Sequence, residues 1–195
     1  MTSIRILPVS VQDTAELLEI YRPYVEETYV SFEVSVPSLE EFENRIKTIS
    51  GRYPYLKAVE NGKILGYVYA SAFKTRAAYQ WSVETSIYVR RGEHSRGVGT
   101  MLYEALEAVL AHQNIYNLNA CITYPNPESI PFHQRCGYRE VAHFTKCGYK
   151  LGSWHDMIWM EKLFPRPEDP APFIPITEID LPAILAEFEG GHHEA

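Results

Sequence analysis

The 195-residue sequence predicts an α/β (α+β) fold, a central mixed and twisted sheet of about seven strands flanked by helices on both faces. Apolar residues alternate in period two along several short runs and recur every three or four positions along others. The two kinds of run interleave in the order β α α β β β α β α β β, and Asn61-Gly62 marks one tight hairpin among the strands.

Residues 4–7 read as the first strand. Ser10-x-x-Asp13 then caps a helix that carries Leu17, Leu18 and Tyr21 on one face, and Pro23 should break or kink it. Ser38-x-x-Glu41 opens a second helix, with Leu39, Phe42, Ile46 and Ile49 at spacings of three and four. Tyr55–Glu60 and Lys63–Ala72 flank Asn61-Gly62, whose residue types tolerate the positive φ that a type I′ turn needs. Residues 81–89 continue the alternation, and residues 97–112 place Leu102, Leu106, Val109 and Leu110 on one helical face. A strand at 118–122, a short helix at 128–135 ended near Gly137, and two strands at 139–144 and 154–161 complete the body.

This divides the chain into a folded domain over residues 1–164 and an extension over 165–195. The extension holds six prolines, seven acidic residues and one arginine. Within it, residues 180–189 could form a short helix with Ile184, Leu185 and Phe188 as its apolar face, docked on the body or on a second subunit; a frayed tail is the competing expectation.

Composition removes several function classes. A net charge of −7 without a basic stripe disfavours nucleic acid as a partner, because a phosphate backbone is held by clustered Lys and Arg. No apolar run suits a membrane span and the first residues lack a signal-peptide pattern, so a cytoplasmic location is expected. Cys121, Cys136 and Cys147 show no C-x-x-C spacing, so neither a disulfide framework nor a metal site is expected.

The segment Ser86-Ile-Tyr-Val-Arg-Arg-Gly-Glu-His-Ser-Arg-Gly-Val-Gly-Thr joins a strand to a helix through a glycine-rich turn. Unpaired amides and the helix dipole make such a helix start an anion site, and Gly97 and Gly99 let a phosphate approach the main chain. A P-loop would need Lys where Val98 stands, and a dinucleotide fingerprint would need Gly or Ala where Leu102 stands. A helix capped by glycines for structural reasons alone remains the bland alternative.

The turn His94-Ser-Arg-Gly97-Val-Gly99 resembles the diphosphate loop [Q/R]-x-x-G-x-[G/A] of GNAT acetyltransferases, with His94 departing from the usual first residue. From Val25 to Leu163, and again from Ala171 in the proline-rich exit, the chain resembles the phosphinothricin acetyltransferase branch of that family. The resemblance rests on Ser31-Phe-Glu33, Tyr53-Pro-Tyr-Leu56, Lys74-x-Arg-x-Ala-Tyr-x-Trp81, Glu84-x-Ser-x-Tyr-Val89, Arg96-Gly-x-Gly99, Pro125-Asn-x-x-Ser129, His133-x-x-x-Gly-Tyr138 and Gly152-x-Trp-x-Asp156, all in the same order.

The resemblance implies the GNAT fold, acetyl-CoA as co-substrate, a small amino-acid-like amine as acceptor, no metal, and a homodimer. It implies Glu84 as general base, with His133 either protonating the departing thiolate or assisting the base. The cofactor would be held by Ile87, Tyr88 and Val89 along a strand, by His94, Ser95, Arg96, Gly97, Val98, Gly99 and Thr100 in the turn, and by Asn126 and Ser129. Phe32, Glu33, Lys74, Arg76, Tyr79 and Trp81 would meet the amine substrate, the two cations suiting a carboxylate or phosphinate. Two other readings stay open: acetylation of a peptide N-terminus or another amine, and a catalytically silent acyl-CoA sensor.

Overall fold

The computed structural model describes residues 4–94 and 96–193. Seven strands, β1 (Arg5–Pro8), β2 (Tyr55–Glu60), β3 (Lys63–Ala72), β4 (Ser82–Val89), β5 (Asn117–Tyr124), β6 (Arg139–Lys150) and β7 (Ser153–Leu163), form one sheet in the order β1-β2-β3-β4-β5-β7-β6. All neighbours are antiparallel except β4 and β5. That parallel pair is joined only from Ser82 to Glu84, against Asn117 to Asn119. Beyond Glu84 the two strands part, and the sheet opens in a wedge.

Helices cover both faces, as the alternation requires. Helices α1 (Thr14–Glu26) and α2 (Leu39–Ser50) bury Leu17, Tyr21, Phe42 and Ile46 against Tyr55, Ile64 and Tyr67. On the other face α3 (Val98–His112) buries Leu102, Leu106, Val109 and Leu110 against Leu56, Val68, Ala70 and Val83. Each such leucine contributes roughly 1.5–3 kcal/mol by leaving water. Helix α4 (Ser129–Arg135) follows β5, and α5 (Leu181–His193) places Ile184 and Leu185 in the core under α3.

Three sequence expectations are corrected. Helix α1 runs through Pro23 to Glu26, so the proline does not end it. The last hairpin is longer than 139–144 and 154–161. Leu151 and Gly152 at φ 49° and 78° make its turn, and an irregularity at Lys146 hides the alternation in the sequence. The final helix extends past residue 189 and docks on the body, where the Glu189 carboxylate accepts a hydrogen bond from Ile6 N–H.

Gln113 pins the strap that leads to α5. Its side chain is fully buried and donates to the carbonyls of Arg52 and Ile174, while the Gln113 main-chain carbonyl accepts from Ile174 N–H. Gln113→Leu removes the donor to the Ile174 carbonyl, while the Arg52 carbonyl keeps Ile176 N–H, and we expect a loss of about 1–3 kcal/mol in urea unfolding.

Candidate active site

Glu84 is the last β4 residue paired to β5, so it stands at the apex of the wedge. Successive strand side chains alternate between faces. Val83 and Ile87 join the core under α3, whereas Tyr88 packs on the aromatic group under α1 and α2. Glu84 therefore projects toward the α1 and α2 face. Burial raises its pKa above the ordinary carboxylate value, opposed by nearby Lys74, whose ammonium lies over the Phe73 and Trp159 rings. On the same face burial and Glu84 push the Cys121 thiol up to about 12, so it stays protonated.

Main-chain groups alternate too. Arg90 N–H bonds to Leu65 and Ser82 C=O accepts from Phe73, so even-numbered β4 residues turn toward β3. Odd-numbered Thr85, Ile87 and Val89 face the wedge. At Val89 the position is taken: the Tyr24 hydroxyl donates to its carbonyl at 2.6 Å and accepts from its amide at 3.3 Å. Tyr88 sends its main chain to Tyr67 on β3. Of the expected trio, Ile87 is the one whose amide is directed into the opening.

The wedge leads to a cavity of about 420 Å³ lined by Ile87, Val89, His94, Gly97, Val98, Gly99, Thr100, Asn126 and Ser129, together with Tyr24 and Phe132. A smaller cavity of about 60 Å³ between residues 85–88 and 120–123 adjoins it, sharing Val30, Ile87, Asn126 and Ser129. Gly97 caps α3 at φ 80°, which only glycine adopts without strain. At Gly99 a Cβ would stand 3.2 Å from the Phe132 ring. Residues 97–100 line the cavity, so a phosphate within it can reach the first amides of α3.

His133, expected either to protonate the departing thiolate or to assist Glu84, is held by partners on the α3 side of the strand. Its Nδ1 lies 2.8 Å from the Ser129 carbonyl and its Nε2 2.8 Å from the Tyr103 hydroxyl, which is 3.1 Å from Thr85 Oγ1. A carbonyl only accepts, so Nδ1 carries the proton and Nε2 accepts from Tyr103. Thr85 follows Glu84 and points to the opposite face, so the histidine and the glutamate are separated by the strand. Burial lowers the His133 pKa to about 4, so the ring is neutral at pH 7 and holds no spare proton for a thiolate.

A folded-state pKa below the unfolded one means that the unfolded chain binds more protons between these values. Stability is then full above about pH 6.5 and is lost as pH falls toward 4. The whole shift is worth on the order of 3 kcal/mol. We expect His133→Gln to flatten that acid slope in urea titrations.

Residues 6–159 match the family model described as acetyltransferase (GNAT) domain. The chain belongs to the GNAT acetyltransferase family. It is 32% identical over 176 residues to a phosphinothricin N-acetyltransferase of Streptomyces viridochromogenes, covering 90% of this chain and 96% of that protein. An L-methionine sulfoximine/L-methionine sulfone acetyltransferase of Pseudomonas paraeruginosa is 31% identical over 56% of this chain and 64% of its own length. A phosphinothricin acetyltransferase of Sinorhizobium meliloti, solved in complex with AcCoA, superposes with a TM-score of 0.81 at 30% identity, covering 87% and 93% of the two chains.

Within this GNAT frame the remaining expected residues scatter. Ser95 lies outside the described residues. Arg96 turns from the cavity to pair with Glu60 at 2.8 Å and Glu93 at 2.5 Å. Asn126 lines the cavity and also caps α4, its Oδ1 accepting from Ser129 N–H. Phe32 lies against Gly148, and Glu33 pairs with Arg45 of α2 at 2.5 Å, so its charge is answered within the protein. Lys74 and Tyr79 gather on Phe73, with exposed Arg76 in the same connection. Trp81 gives its indole N–H to the Ala171 carbonyl and serves the C-terminal strap. Sequence reasoning missed Tyr24, Thr85 and Tyr103. No motif marks them, because each acts across elements far apart in the chain.

Proposed function

We propose that this protein transfers the acetyl group of acetyl-CoA to the primary amine of a small amino-acid-like substrate of the phosphinothricin, methionine sulfone or methionine sulfoximine type. The observation that carries the reading is the wedge between β4 and β5, which joins an anion-binding helix start on one face to a half-buried carboxylate on the other. The diphosphate would lie on residues 97–100, with the pantetheine arm along the odd-numbered edge of β4 and near Asn126. The relatives' named activities support the acceptor class.

In this reading the amine enters from the Glu84 side. An α-amino group with a pKa near 8 is mostly protonated at neutral pH, so Glu84 accepts one of its protons, directly or through water. The freed lone pair attacks the thioester carbonyl, the Ile87 amide donates to the developing oxyanion, and the C–S bond breaks to release CoA thiolate. The acetylated nitrogen gives up its second proton to solvent and the thiolate takes one from solvent, since His133 is neutral and engaged. The protonated Cys121 thiol favours direct transfer over an acyl-cysteine intermediate. Lys74 and Arg76 would receive the substrate's carboxylate or phosphinate.

The reading includes a cytoplasmic homodimer. The exposed apolar side chains Val141, Phe144, Tyr149 and Trp154 on the β6–β7 hairpin support a second copy there. Sedimentation should give twice the chain mass. Function itself is tested by a panel of amines scored for thiol release from acetyl-CoA, covering phosphinothricin, methionine sulfone, methionine sulfoximine, peptide N-termini and polyamines. Turnover confined to the amino-acid-like members is expected. A preference for peptides would move the acceptor class, and acetyl-CoA binding without release on any amine would make the protein a sensor.

A further inference from the structure

Lys150 is 5% exposed, yet no carboxylate lies within ion-pairing distance among the described residues. Its ammonium donates to the Ser31 carbonyl at 2.6 Å and approaches the Tyr24 carbonyl at 3.4 Å. A buried cation is costly to keep without partners. The Glu33 carboxylate helps only from beyond pairing distance, so the Ser31 carbonyl, which unlike that of Tyr24 lies outside α1, ties the connection after α1 to β6. That segment, residues 28–32, leaves α1 and crosses the wedge. Thr123 of β5 donates to the Tyr29 carbonyl, the Tyr29 ring stacks 4.1 Å from His155 of β7, and Phe32 fills the space left by Gly148 of β6. Val30 lines both cavities at the opening. The crossing is therefore a roof over the gap, and Lys150 is its buried peg.

We propose that Lys150 is a positioning residue for the amine side of the site, holding residues 28–32 over the wedge so that an acceptor is enclosed beside Glu84. This rests on the acetyl-transfer reading for its substrate and on the contacts alone for its anchor. Methionine at 150 fills a similar volume without donating to the carbonyls. A second variant, Gly148→Ala, leaves Lys150 in place and drives a Cβ into the Phe32 ring.

Hydrogen–deuterium exchange on the full chain reads the anchor without any substrate. Lys150→Met should raise exchange at residues 29–34 and leave α3 unchanged; unchanged exchange in the roof overturns the proposal. Steady-state thiol release with L-methionine sulfone as the probe reads the consequence. Both variants should raise the KM for the sulfone about tenfold while kcat stays within about twofold, a split that general loosening of the fold does not give. Raised roof exchange with an unchanged sulfone KM also overturns it. No turnover by the unaltered protein would instead sink the acetyl-transfer reading and leave the exchange result to judge the anchor.

Discussion

Glu84→Gln should lower kcat about 10²–10⁴-fold, the range typical of a lost general base, while acetyl-CoA binds with nearly unchanged affinity. The side chain keeps its size and its place at the apex, so only the ability to take a proton is lost. Burial raises the Glu84 pKa, so the acid limb of kcat/KM should lie above the ordinary carboxylate range and disappear in the variant. Lys74 opposes that rise, so Lys74→Met should carry the limb to still higher pH. A glutamine variant that turns over as fast as the parent at neutral pH removes Glu84 from the chemistry.

Gly97→Val should weaken acetyl-CoA binding by about tenfold to a hundredfold in calorimetry. Gly97 holds φ 80° with no atoms within 4 Å of its missing Cβ, so an added Cβ meets no clash. It meets backbone strain of roughly 1–2 kcal/mol and places a branched side chain where the diphosphate must come close to the amides. Gly92→Val supplies the control. Gly92 sits at φ 85°, also with free space, but outside the cavity lining. It should cost comparable stability and leave affinity intact. Equal affinity losses in the two variants would mean that strain alone, and not access of the phosphate, was being measured.

What the sequence made legible was local. Asn61 and Gly62 turn at φ 51° and 77°, as the residue types foretell, and Gly97 caps α3 in the left-handed region where the glycine-rich turn was expected. The wedge has no such signature, because it exists only where β4 and β5, joined through α3, cease to pair. Thr85, Tyr103 and His133 come from a strand and two helices, so their hydrogen-bonded chain cannot be seen as a spacing. It also places His133 on the face opposite Glu84. Lys150 and Ser31 lie 119 residues apart, and only the packed structure brings the ammonium to the carbonyl. Arg96 and Trp81 matched family motifs, yet their side chains answer nearby carboxylates and the C-terminal strap.

The most direct measurement is the stoichiometry of one reaction: free CoA thiol and N-acetylated L-methionine sulfone or phosphinothricin, quantified together after mixing the protein with acetyl-CoA and the amine. The account predicts that the two products appear in equal amounts, at a rate that Glu84→Gln lowers about 10²–10⁴-fold. Thiol released without acetylated amine, or no release from any amine by a protein that binds acetyl-CoA, would contradict it.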